Sequence, residues 1–422
     1  MNPPVRIHGI AAGGDGVGTL PDGRVVFVPR TAPGDLVELR AMTSAKRFAR
    51  ARAGRVLEAS PARVDPPCPH YVHDDCGSCQ LQHLTVEAQQ GARRRILADA
   101  LRRIGGQELE EPVLEPSDTE WEYRAKMSLT VGASRRGPRP IGYHRLGHSD
   151  QVFALTRCPI ARPELNALWQ ALQPHRGLLP GNAKRVVLRV DRAGGRHVIV
   201  RTGEPGTWTR ARDLGATLGR EGIAVTLWWH PEGGAPRVLS GGGEAYPATV
   251  FEQVHPVMGD RVRDFAVARL GDLPARHVWD LYAGIGETTL RLRHLFPAAT
   301  LESVELDPRA VRLAEDRGPR EGITRHTGRV EDLMPRLHPA EAVILNPPRT
   351  GLHVEVAKAL LELPGSGAGP TPSRLVYVSC DPATLARDVA RLAPRYRLSG
   401  VRGFDLFPQT AHVETVATLD RQ

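Results

Sequence analysis

The sequence predicts an α/β protein in three parts: an N-terminal β-barrel of OB type, a strand-rich middle block, and a C-terminal doubly wound parallel sheet of Rossmann-like plan. Three observations carry this reading. Short apolar segments separated by turn residues fill the first 64 positions, a cysteine-rich stretch opens the next block, and from about residue 251 buried-strand patterns alternate with helix patterns. At 422 residues the chain exceeds what one hydrophobic core organises, and the divisions fall at 1–64, 65–250 and 251–422.

In the first part, Val5 to Ile7, Val25 to Val28, Val37 to Leu39 and Arg55 to Leu57 read as strands, punctuated by GGDGVG and by the PGD turn at Pro33 to Asp35. Small barrels of this kind often carry oligonucleotides. Between Arg40 and Arg55 six basic residues (Arg40, Lys46, Arg47, Arg50, Arg52, Arg55) stand without an acidic one, which suits either a solvated face or a phosphate-tracking surface. The formal charge of +9 is weaker evidence, because four lysines beside 52 arginines point to codon bias. No run of about 18 apolar residues occurs, and MNPPVRIHG has neither a charged n-region nor an apolar h-region, so a soluble cytoplasmic protein without membrane contact is expected.

The middle block opens on CPHYVHDDCGSC. Cys68, Cys76 and Cys79, with the distant Cys158 of RCPI, make four of the five cysteines. A reducing compartment disfavours disulfides, so these are expected to be ligands or catalysts. One C-x2-C unit with two outlying cysteines, the last followed by proline, is the layout of a single iron–sulfur cluster. Zinc stays open, since His70, His73 and His83 lie close by in sequence. A helix is expected from Val86 to Ile104, followed by strands rich in arginine.

In the last block, HVWDLYAGIGETTLRL gives a strand over Val278 to Leu281, a tight turn at Gly284 and Gly286, and a helix from Thr288. Glu305 ends the following strand, where an acid can accept hydrogen bonds from ribose hydroxyls. Asn346 to Arg349 follow a buried run at Ala342 to Leu345, and LVYVSCDPATLARD places Cys380 between a strand and a helix capped by Asp381 and Pro382. Ligands of open parallel sheets bind outside the carboxyl ends of the strands, so Gly284, Glu305, Asn346 and Cys380 are expected on one edge.

These motifs, with WEYRAKMSL, FEQVHP, VELDP, NPPR and FPQTAHVET, resemble those of the RNA uracil-5-methyltransferases, specifically the branch with an N-terminal TRAM domain and a 4Fe-4S cluster. The resemblance implies a class I methyltransferase domain using S-adenosyl-L-methionine. It makes Cys380 the nucleophile and Glu414 the base. Gln253, Tyr282, Gly284, Glu305 and Asn346 would line the cofactor, and Cys68, Cys76, Cys79 and Cys158 would hold the cluster. Asn346 departs from the aspartate usual in the family, His255 stands where asparagine is common, and Gln409 and Ala411 where histidines are frequent.

Carbon 5 of uracil is a poor nucleophile until a thiolate adds at carbon 6, and its proton must be removed after methylation; hence a cysteine and a general base. The resemblance favours large-subunit (23S) ribosomal RNA as the partner, with tRNA as the alternative, and suggests a monomer with no obligate protein partner. A nucleic-acid amino-group methyltransferase would also use Asn-Pro-Pro, but an aromatic residue normally follows, where this chain has Arg349. A non-catalytic RNA-binding or redox-sensing protein on the same fold would not need both Cys380 and Glu414.

Overall fold

The computed structural model describes residues 4–134, 137–203, 206–242, 248–318, 321–362 and 371–422. Among these residues no helix is long and apolar enough to cross a membrane. Strands β1 (Val5–Ile10), β2 (Gly16–Thr19), β3 (Val25–Val28), β4 (Leu36–Ser44) and β5 (Phe48–Glu58) close a barrel in the order β1, β2, β3, β5, β4. Val5, Ile7, Val26, Val28, Val37 and Ala49 fill it.

Strand β2 lies inside the stretch that reads as a glycine turn. Its glycines serve close approach: a Cβ on Gly18 would sit 2.4 Å from Val5 Cγ1, and one on Gly16 2.0 Å from Thr31 Oγ1. The basic stretch is also less free than its sequence suggests. Arg50 meets Asp15 at 3.3 Å, Arg52 meets Asp75 at 3.1 Å and Arg55 meets Glu38 at 3.1 Å, whereas Arg40, Lys46 and Arg47 are exposed and make no ion pair among the described residues.

The middle of the chain comprises α1 (Pro69–His73), α2 (Val86–Arg103), β6 (Val113–Glu115), β7 (Lys126–Val131), β8 (Ile141–Gly142), β9 (His144–Arg145), β10 (His148–Val152), α3 (Pro163–Leu172), β11 (Ala183–Val190), β12 (Arg196–Thr202), α4 (Ala211–Arg220), β13 (Thr226–Pro231) and β14 (Arg237–Ser240). Strands β14, β13, β12, β11, β7 and β8 form one mixed sheet in that order, parallel only between β12 and β13. One face is apolar, with Leu129, Val186, Leu188, Val198, Val200 and Trp229 packed in the same core as Leu168 and Trp169 of α3 and Leu214 and Leu218 of α4. The centre of the other face is buried as well, where Val187, Ile199 and Trp228 pack with Ala248.

The last part comprises α5 (Pro256–Ala268), β15 (His277–Leu281), α6 (Glu287–Leu295), β16 (Thr300–Glu305), α7 (Pro308–Arg317), β17 (Ile323–Thr327), α8 (Val330–Leu333), β18 (Ala342–Leu345), α9 (Val354–Glu362), β19 (Arg374–Ser379), α10 (Pro382–Leu392), β20 (Tyr396–Phe404) and β21 (Glu414–Arg421). Its sheet runs β17, β16, β15, β18, β19, β21, β20, β6. The first five strands are parallel and β21 is antiparallel to both neighbours. Ala342 to Leu345 and Leu375 to Ser379 are buried on both faces, as a sheet covered by helices on each side requires.

Two elements that local pattern puts in the middle block join this sheet. Helix α2 matches the expected span within a residue, yet its Leu97 and Leu101 share a core with Leu385, Ala386 and Val389 of α10. Strand β6 pairs in parallel with β20. Arg93, on the same helix, is 1% exposed and donates to Asp405 (2.7 Å) and to the Thr410 carbonyl (2.7 Å). Strand order reverses at β15, which opens the ligand crevice at the carboxyl ends of β15, β16 and β18.

Candidate active site and cysteine cluster

Cys380 directly follows β19. The Asp381 carboxylate accepts from the Thr384 amide at 2.8 Å and Pro382 starts α10, so the chain turns as the sequence predicts. The antiparallel ladder ends at Ser379 with Thr415, so Cys380 and Glu414, the first residue of β21, each stand one residue beyond its last pair. Cys380 is half-buried. Its thiol is pushed up by burial and by the neighbouring Glu414, while the Arg349 guanidinium, hydrogen-bonded to it, pulls the other way.

Glu414 is 1% exposed. Burial pushes its carboxyl up to about 7 against the opposing pull of Arg349, the Gln253 amide and Arg263. Gln253 Nε2 donates to Oε1 at 3.5 Å, and Oε2 has no hydrogen-bond partner among the described residues. A buried carboxyl that changes charge near neutrality, with one oxygen unengaged beside a thiol, can exchange a proton with a bound molecule.

The cofactor candidates sit on the same edge. Tyr282 (φ 65°), Gly284 (φ 57°) and Gly286 (φ 77°) form a left-handed turn between β15 and α6. A Cβ on Gly286 would stand 2.8 Å from that of Ala314, so the turn needs glycine there. The Glu305 carboxylate accepts from the amides of Gly284 (2.9 Å) and Asp307 (2.8 Å), bracing the turn against β16. The Asn346 backbone N–H donates to the Leu281 carbonyl at 3.1 Å. Tyr282 and Gly284 thus follow β15, Glu305 ends β16, Asn346 follows β18 and Cys380 follows β19, all at the carboxyl ends of the parallel strands, while Gln253 reaches Glu414.

Three ionisable neighbours were given no task by the sequence. Arg349 bears on both Cys380 and Glu414, and the NPPR motif already displayed it. His412 is held down by burial and by Arg349, with Asp381 acting oppositely, and FPQTAHVE contained it. Asp280 is pushed up to about 6 by burial, eased by Thr289 Oγ1 at 2.5 Å. Only its position next to the carboxyl end of β15 could have signalled it.

The segment before Glu414 is tied down from α2 and from the loop after Cys79. Gln89 bonds the Gln409 side chain (2.9 Å) and amide (3.0 Å), Leu81 donates to the Gln409 carbonyl (3.0 Å), and Tyr123 donates to the Pro408 carbonyl (3.0 Å). Gln409 takes φ 70°, so its departure from histidine lies in a locked turn. His255 caps α5 through Nδ1 at 3.5 Å, the task an asparagine would also perform.

Cys68, Cys76, Cys79 and Cys158 lie together, each buried and unbridged, in the core of the middle block. Burial pushes the thiols of Cys76 and Cys79 up and that of Cys158 up to about 11, and Cys79 feels Cys158, Cys76 and Cys68 in turn. Backbone amides of Ser78 and Ile160 donate to the sulfurs of Cys76 and Cys158. Among the described residues no group of three or more histidine, cysteine, aspartate or glutamate side chains stands ready to close on a metal ion. The histidines do not complete a set: His70 engages Asp74 and Thr156, both at 2.8 Å, His83 engages Tyr71 at 2.8 Å, and His73 is exposed.

The family profile described as tRNA (Uracil-5-)-methyltransferase matches residues 313–422, and the TRAM domain profile matches residues 4–53. An uncharacterized RNA methyltransferase of Gloeobacter violaceus is 33% identical, covering 99% of this chain and 96% of its own length. The 23S rRNA (uracil(1939)-C(5))-methyltransferase RlmD of Thiobacillus denitrificans is 31% identical with both chains covered in full. In fold, the chain is similar to the tRNA (uracil-54, C5)-methyltransferase of Pyrococcus abyssi, solved with S-adenosyl-L-homocysteine, at TM-score 0.70 and 21% identity, with 99% of this chain and 100% of that one covered. A barrel that is a TRAM domain, a methyltransferase sheet, and end-to-end likeness to a uracil-5 enzyme agree. The chain belongs to the RNA uracil-5-methyltransferase family.

Proposed function

We propose that the protein methylates carbon 5 of a uridine in 23S ribosomal RNA through a covalent adduct between Cys380 and carbon 6. The observation that carries this reading is the closeness of Cys380 to the buried Glu414, one residue past the Ser379–Thr415 end of the β19–β21 ladder, with the Arg349 guanidinium acting on both. S-adenosyl-L-methionine, bound along Gln253, Tyr282, Gly284, Glu305 and Asn346, would supply the electrophilic methyl group. Cys380 adds to carbon 6 as thiolate, a state the adjacent Arg349 cation favours. Glu414, whose carboxyl lies near 7, is half ionised at neutral pH and takes the carbon 5 proton after methylation, which lets the thiolate leave. Gln253 holds Oε1 so that Oε2 faces the proton.

The target base must leave its stack to reach the thiol. The choice of 23S RNA over tRNA rests on the full-length likeness to the Thiobacillus enzyme. Cys68, Cys76, Cys79 and Cys158 fit a 4Fe-4S cluster by donor chemistry: four soft sulfurs in one buried core, two already receiving backbone N–H bonds. Such a cluster would tie the loop of α1 to the strand-rich block. The test maps 5-methyluridine in ribosomal RNA and tRNA from cells with and without the protein. A methyl group lost from one 23S uridine supports the reading, one lost from tRNA replaces its substrate, and no change in either overturns it.

A further inference from the structure

We propose that the open end of the second face of the middle sheet, the row His230, Arg201, Arg185, Thr130, is a docking track for the phosphates of single-stranded RNA beside the target uridine. This rests on the RNA substrate of the preceding reading. Residues directly opposite one another on neighbouring strands project to the same face. Arg201 is opposite His230, Arg185 is opposite Arg201, and Thr130 is opposite Arg185. Three strand-to-strand steps of about 4.8 Å make the row about 14 Å long.

Arg185 and Arg201 are exposed, and neither forms an ion pair among the described residues. Like charges directly opposite in a sheet are destabilising, so this pair costs stability unless an anion is shared between them. Arg309 of α7 also bears on Arg201 and His230, but its guanidinium is already paired with Asp307 at 2.8 Å and bonded to Thr249 Oγ1 at 3.1 Å, so among the described residues the free cations of the row are Arg185 and Arg201.

The same face leads toward the active site. Val187, Ile199 and Trp228 make an apolar floor with Ala248. Beyond it Arg189 engages the carbonyls of Ala248 (2.9 Å) and Val250 (2.7 Å) and the Glu252 carboxylate, fixing the linker to the sheet. Its cross-strand partner Lys126 lines a small recess with Gln253, whose amide meets Glu414. Burial and the cations Arg189, Arg201 and Arg124 push that ammonium down to about 8, as expected where positive charge gathers without enough acid.

The test measures binding of poly(uridylic acid) by fluorescence anisotropy across a salt series. Each phosphate contact on a single strand contributes about 0.7 to the slope of log K against log salt. Arg185→Gln and Arg201→Gln should each flatten the slope by about 0.7, and together by about 1.4, while Arg185→Lys and Arg201→Lys keep it. Arg237→Gln, on the opposite face over the Trp229 ring, should leave it unchanged. An unchanged slope in the double variant overturns the track, as does an equal loss from Arg237→Gln, which would mean that only net charge matters. Failure of the methylation reading is seen separately, as no 5-methyluridine from the parent protein on a 23S transcript, whatever the slopes.

Discussion

Glu414→Gln should stabilise the methyltransferase domain while abolishing turnover, and the stabilisation should grow with pH. An acid whose folded value is raised is more ionised in the unfolded chain, so the native state holds the extra proton between the two values. Stability then falls as pH rises through that window and is level above it. For Glu414 the window runs from 4.5 to about 7. At 1.36 kcal/mol per unit, keeping this fully buried carboxylate ionised above pH 7 costs roughly 3 kcal/mol. Glutamine removes the charge and keeps the shape. Thermal or urea unfolding of both proteins at pH 5, 6, 7 and 8 reads the difference. The two should be nearly equal at pH 5, with the variant ahead by ~3 kcal/mol at pH 8. A gap that does not change with pH, or a parent protein more stable at pH 8, would refute the argument from burial.

Gly351→Ala should cut activity at least tenfold and destabilise, because Gly351 has φ 79° and a Cβ would meet Thr384 Cγ2 and Asp388 Oδ2 at 2.3 Å, displacing the loop that carries Arg349; activity assays and melting curves check it. Arg93→Ala should cost about 3–5 kcal/mol in urea unfolding, since it strands buried Asp405 without its partner. Anaerobically purified protein should be brown with about four irons per chain, and Cys158→Ser should lose both colour and iron; stoichiometric zinc without visible absorption would remove the cluster.

The chemistry at the carboxyl edge was legible because each piece is a local signal. Gly284 and Gly286 mark a turn, Asp381 and Pro382 mark a helix start, and Cys380 stands between a strand and that start. Pairing is not local, and there the reading stopped. Nothing in the α2 sequence says that Arg93 finds Asp405 or that Leu97 and Leu101 pack with α10, and nothing in Val113 to Glu115 announces a parallel partner in β20. Strand β2 was hidden because Gly16 and Gly18, chosen for contact with Thr31 and Val5, resemble turn residues. Arg349 and His412 stood in quoted motifs, but their influence on Cys380, Glu414 and one another is a matter of distance alone. The basic stretch after Arg40 concealed its own partners, since Asp15, Glu38 and Asp75 lie outside it.

The central claim is that Cys380 forms the bond and Glu414 releases it. The direct measurement incubates each variant with RNA and methyl-labelled S-adenosyl-L-methionine and resolves the products on a denaturing gel. Glu414→Gln should accumulate protein shifted by RNA with the methyl label travelling in the shifted band, and Cys380→Ala, folded and unshifted, should show none. A Cys380→Ala protein that still makes 5-methyluridine would contradict the account.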